Sequence, residues 1–128
     1  MQTVYSICSE HRAVLAVYIF GSFSKGTGRR PNDIDLAVLL DDECSNSFSI
    51  LSLISSLEKA LGCPVDVVVL NRAGELLKYE IRRSGKLVFE RSPEARKRFE
   101  MRGRKTYEDF LYLHKRYVNR VLYGAKNG

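Results

Sequence analysis

Apolar positions along this chain follow two periods, and the switches between them mark its elements. Val4, Ile7 and Cys8 recur at helical spacing and predict a first helix over 2–12. An unbroken apolar run from Ala13 to Phe20, β-branched and aromatic, stops at Gly21 and predicts a buried strand over 14–20. Residues 22–26 read as a short turn or helical start. Gly26-Thr27-Gly28 and Arg30-Pro31-Asn32 punctuate a loop. A second strand is predicted over 33–40, closed by Asp41-Asp42-Glu43. Phe48, Leu51, Ile54, Leu57 and Leu61 recur every three or four residues, an amphipathic helix with Gly62 placed to end it in the left-handed conformation.

The second half repeats the alternation. Residues 64–70 predict a third strand, Glu75–Arg83 a helix, and Lys86–Glu90 a short fourth strand. Ser92 and Pro93 then read as N-cap and first residue of a long helical tail. Tyr107, Phe110, Leu111, His114, Tyr117, Val118 and Val121 share one face of that tail, and Arg102-Gly103-Arg104 is expected to break or kink it. An apolar helical face past a small core must be buried somewhere, by packing or by a partner. Strands alternating with helices predict an α/β (α+β) domain, a small mixed sheet flanked by helices.

Charge divides the chain where the tail begins. Residues 1–90 hold 10 Lys+Arg and 11 Asp+Glu, a net of −1; residues 91–128 hold 11 and 4, a net of +7. The organisation expected is a core over 1–90 and a basic helical extension over 91–128, packed on the core or on a partner. A basic tail suits an acidic partner, nucleic acid included, or serves as a solvated face. The longest apolar run is far too short to span a bilayer, and no basic and hydrophobic leader follows Met1. The cysteines (Cys8, Cys44, Cys63) are odd in number and lack metal-ligand spacing, so they read as reduced thiols in a cytoplasmic protein.

The chemistry concentrates between the first two strands. Gly21-Ser22 precedes Asp33-Ile34-Asp35-Leu36 by a dozen positions. Strand alternation puts Asp33 and Asp35 on one side and turns Ile34 and Leu36 into the core. Asp66 interrupts Val65-Asp66-Val67-Val68-Val69 and reads as a buried carboxylate that needs a partner or a metal. If the third strand lies beside the second, three carboxylates converge. Two unit charges ~4 Å apart repel by roughly 4 kcal/mol at an effective dielectric of about 20, which protons or divalent cations must relieve. Mg²⁺ takes carboxylate oxygens while keeping water and phosphate ligands. Gly21-Ser22 offers close backbone approach and free N–H groups to a polyphosphate, and Lys25 with Arg29 or Arg30 could add charge-assisted contacts. Taken singly, Asp-x-Asp is usually a turn or cap, Gly-Ser a turn, and a lone strand Asp an ion pair; the order and spacing of the set separate it from these readings.

Gly-Ser, a spacer and Asp-hydrophobic-Asp-hydrophobic, with a third acid on a later strand, resembles the DNA polymerase β-like nucleotidyltransferase superfamily. The compact form resembles its minimal nucleotidyltransferases, the MNT proteins, over about Val14–Glu90. The 65–73 stretch and the Gly85-Lys86-Leu87-Val88-Phe89-Glu90 segment add to the likeness. The resemblance implies the polymerase β-like fold, with ATP as substrate and two Mg²⁺ ions held by Asp33, Asp35 and Asp66. In it Asp66 also helps deprotonate an acceptor hydroxyl, and Gly21 and Ser22 bind the triphosphate; Lys25 and Arg29 join them as nucleotide-binding candidates on charge alone. It further implies an antitoxin that transfers AMP to a tyrosine of a HEPN ribonuclease toxin. Two other functions compete. A small-molecule transferase of the aminoglycoside type fits a basic tail poorly, and a contact-only toxin- or RNA-binding module leaves the acid set unexplained. A homodimer and a hetero-oligomer both stay open; no membrane is expected, and nucleic acid only through the toxin or the tail.

Overall fold

The computed structural model describes residues 2–21, 33–44 and 48–124. Helix α1 (Gln2–Glu10) leads into strand β1 (Val14–Phe20), and β2 (Ile34–Leu40) returns beside it. Helix α2 (Ile50–Leu61) crosses to β3 (Val65–Val69), and a 3₁₀ turn (Leu70–Arg72) leads to α3 (Glu75–Ser84). Strand β4 (Lys86–Glu90) and the long helix α4 (Pro93–Asn119) follow, with a π turn over Arg120–Gly124. The sheet order is β3-β2-β1-β4. β1 is antiparallel to both neighbours and β2 is parallel to β3, so the sheet is mixed. The α+β class read from the alternation of periods is the class observed.

Strand alternation sorts the side chains onto two faces. On one, Val17, Ile19, Ile34, Leu36, Val38 and Val65 pack under α1 and α2, against Val4, Cys8, Leu53 and Leu57. On the other, Ala16, Tyr18, Ala37 and Leu39 meet Leu70 and Ile81, with Leu77 of α3 and Phe99 of α4 alongside. α2 is capped as its sequence suggests at the far end: Gly62 has φ +72° and its N–H donates to the Glu58 carbonyl. Its N-cap is Ser49, whose hydroxyl accepts from the Ser52 N–H.

Two expectations need correction. α4 runs unbroken through Arg102-Gly103-Arg104. Gly103 is buried, and a Cβ there would stand 2.5 Å from Arg82 Nη1. The glycine admits the α3 arginine to the helix surface instead of ending the helix, and intrahelical bonds carry it across. Asp66 is exposed, not buried, because β3 is an edge strand.

Polar bonds fasten α4 and α1 to the sheet. Tyr18 Oη donates to Glu100 Oε1 at 2.7 Å. Arg96 pairs with Glu90 and, at 3.0 Å, with both Glu100 oxygens. Burial, and then the Glu100 carboxylate, hold the Tyr18 phenol well above its ordinary pKa; the Arg96 guanidinium is pushed up chiefly by its bond to Glu90. Arg91 donates to the carbonyls of Cys8, Ser9, His11 and Val14, tying the end of α1 and the start of β1 to the chain just past β4.

Candidate active site

β1 ends at the same sheet edge where β2 and β3 begin, and the acidic residues gather there. Phe20 is the register partner of Asp35, and Asp35 is the register partner of Asp66. Partners in adjacent strands lie ~5 Å apart with side chains on the same face. Alternation gives Asp35 the face of Ala37 and Leu39, the one that α3 and α4 cover further along. Asp33 sits two residues before Asp35, exposed at the mouth of β2.

Electrostatics joins the three groups. The half-buried Asp35 carboxyl is raised above its ordinary pKa by desolvation first, then by the charges of Asp66 and Asp33. Among the described residues, no cation figures in the causes of that shift. Asp35 therefore holds its charge against both burial and its neighbours.

Gly21 closes the site from the β1 side. Its φ is +78°, a conformation that side chains rarely adopt. A Cβ at this position would stand 2.7 Å from Asp35 Oδ2. The absence of a side chain is what lets the Asp35 carboxylate lie against the backbone turn. Of the residues that sequence reasoning assigned to the site, the structure brings Gly21, Asp33, Asp35 and Asp66 to one edge. Ser22, Lys25 and Arg29 lie outside the described residues.

The donor set is carboxylate oxygen, hard ligands suited to Mg²⁺. Among the described residues no three His, Cys, Asp or Glu groups form a ready-made metal cage. Mg²⁺ asks for less: one or two carboxylates, with water and substrate phosphate completing its shell. Asp35 and its register partner Asp66, with Asp33 nearby, fit that requirement, and their mutual repulsion is what a divalent cation relieves.

Sequence reasoning missed Tyr18. It shares the carboxylate face of β1, two residues before Phe20, and ties α4 to the sheet there. The Ala16-Val17-Tyr18-Ile19-Phe20 alternation carried the placement, but nothing in the sequence pointed to Glu100 as its partner.

A mixed sheet with paired carboxylates at the mouths of parallel strands, facing a glycine turn, defines a nucleotidyltransferase-type site. The family model described as "Polymerase beta, Nucleotidyltransferase" matches residues 2–94, and the chain belongs to that family. The chain is 40% identical over 70 residues to protein adenylyltransferase MntA of Shewanella oneidensis, covering 55% of this chain and 50% of that protein. It thus spans half the length of that relative. A putative protein adenylyltransferase of Methanocaldococcus jannaschii is 33% identical over 76 residues, covering 53% of this chain and 76% of that protein. A crystal structure of a toxin–antitoxin with AMP-PNP contains a chain that superposes with a TM-score of 0.77 at 25% identity, covering 94% of this chain and 97% of that one. A complex of tri-AMPylated Shewanella oneidensis HEPN toxin with MNT antitoxin gives 0.68 at 21% identity, covering 94% of each chain, a likeness of fold. Among the described residues no helix is long and apolar enough to cross a membrane.

Proposed function

We propose that this chain is a Mg²⁺-dependent nucleotidyltransferase that moves AMP from ATP to a hydroxyl, most specifically a tyrosine of a HEPN ribonuclease toxin, and so acts as its antitoxin. One observation carries the reading: Asp35 is in register with Asp66, and its carboxylate rests against a glycine with positive φ. The named activities of the two adenylyltransferase relatives and the AMP-PNP-bound toxin–antitoxin neighbour support it. The place of action is the cytoplasm, which supplies ATP and suits the reduced thiols of Cys8, Cys44 and Cys63.

The residues divide the work. Gly21 lets the backbone approach the triphosphate, and Ser22, Lys25 and Arg29 are assigned to its distal phosphates. Asp33, Asp35 and Asp66 would hold Mg²⁺, two ions in the full assignment. Mg²⁺ held there would supply neutralisation of the phosphate charge. Asp66, exposed on the edge strand, accepts the proton of the acceptor hydroxyl as its oxygen bonds to the α-phosphorus. The bond from that phosphorus to the bridging oxygen breaks, and pyrophosphate leaves with the electron pair. Catalysis rests on positioning and charge, with no covalent enzyme intermediate.

The test uses ATP labelled at the α-phosphate, MgCl₂ and the purified HEPN protein encoded in the same genome. The expected result is label on a tyrosine, with one adenylyl mass added per event and none by Asp35→Asn. An unlabelled partner, or equal labelling by Asp35→Asn, contradicts the proposal.

A further inference from the structure

The distal part of α4 and its π turn form an arm that the other described residues leave exposed. Residues 108–124 span roughly 25 Å at helical rise. Leu113, Tyr117 and Val121 recur at every fourth position and are 61%, 64% and 55% exposed. Isolated exposed apolar residues need no explanation, but a contiguous stripe on a projecting helix marks an interaction surface.

Continuity with an internal interface shows how the stripe is used. Where α3 covers α4, Tyr79 stacks on Tyr107 with ring centres 4.3 Å apart and planes 9° apart. The ladder then continues from Tyr107 to Phe110 at 6.1 Å and from Phe110 to His114 at 5.9 Å. α3 ends its cover while the ladder runs on, so the arm repeats beyond the core the kind of surface that α3 packs against. A helix laid in line with α3 suits it.

Charge selects the occupant. Past Asp109 the arm, residues 110–124, carries Lys115, Arg116 and Arg120 and no Asp or Glu, a net of +3. Two copies of this arm would bring surfaces of the same net sign together, whereas an acidic surface is complementary. The bond from Tyr18 to Glu100 and the pairs of Arg96 anchor the root of α4 to the sheet. That root lies on the face that carries Asp35.

We infer that this arm docks the macromolecular acceptor itself, through a helical surface that is apolar at its centre and acidic at its rim. The assignment rests on the transfer reading above for the identity of the acceptor. It adds what holds that acceptor: a surface separate from the nucleotide site, so affinity for the partner and affinity for nucleotide are set independently.

The test is a titration of the HEPN protein against wild type, a triple variant (Leu113→Ser, Tyr117→Ser, Val121→Ser) and Lys115→Glu, without nucleotide. These side chains are exposed, and circular dichroism checks that the fold persists. Expected are a loss of about tenfold or more in affinity for the triple variant, a weaker loss for Lys115→Glu, and wild-type affinity that falls with salt. Binding of AMP-PNP with Mg²⁺ stays at the wild-type level in both. Three results overturn the inference. One is partner affinity in the triple variant equal to wild type. A second is a wild-type dimer, seen by sedimentation, that the triple variant converts to monomer without loss of partner binding. The third is a HEPN protein that binds neither form. A partner that binds through the arm but accepts no AMP would defeat the transfer reading and leave this one standing.

Discussion

Gly21 and Asp35 depend on each other for space as well as for chemistry. An alanine at 21 meets both a disfavoured backbone conformation and the Asp35 carboxylate. Gly21→Ala should cost about 1–2 kcal/mol of stability and at least two orders of magnitude in transfer, because the carboxylate is the group that must move. Urea melts and α-phosphate label transfer measure the two effects. Asp35 makes the opposite stability prediction. Its carboxyl titrates above its ordinary pKa, so its charge opposes folding at neutral pH. Asp35→Asn should therefore melt higher than wild type in metal-free buffer while transferring nothing, and MgCl₂ should raise the wild-type Tm alone. An unchanged wild-type Tm with MgCl₂ would weaken the metal assignment.

At the scale of elements, α4 is the segment whose behaviour the sequence described least well. Arg102-Gly103-Arg104 has the composition of a break, but whether a glycine breaks a helix depends on what packs there, and the guanidinium of Arg82 comes from α3. No local pattern encodes that contact. The strands were legible because their signal is local: alternation over 34–40 is enough to decide which side Asp35 takes. The exposure of Asp66 was not legible, since a run of valines reads the same on an edge strand as on a central one. The fastening of α4 gives an element-scale prediction. Tyr18→Phe removes a bond to a charged, half-buried carboxylate and should cost about 1.5–3 kcal/mol in urea unfolding. Its effect on labelling should be modest, because no catalytic group is lost.

For the molecule as a whole, alkaline pH should reveal the buried acids. Desolvation pushes the Cys8 thiol up to about 11, only partly offset by the nearby Arg91 charge, and Tyr18 is raised as well. Both groups keep their protons longer folded than unfolded. The stability they contribute is complete below the unfolded thiol pKa and is lost as pH climbs through 9 towards 11. A loss of about 2–3 kcal/mol from Cys8 alone is expected, and Cys8→Ala should flatten that limb of the curve. Class and strand count were readable from the alternation of periods, whereas the strand order that seats Asp66 beside Asp35 is long-range and became visible only in the sheet. The central claim is that this juxtaposition, facing Gly21, is a metal-and-nucleotide site. Calorimetric titration with AMP-PNP, with and without MgCl₂, on wild type and Asp35→Asn, tests it most directly. AMP-PNP should bind wild type about tenfold or more tighter with Mg²⁺, with no metal effect in Asp35→Asn; equal wild-type affinity in the two buffers would rule such a site out.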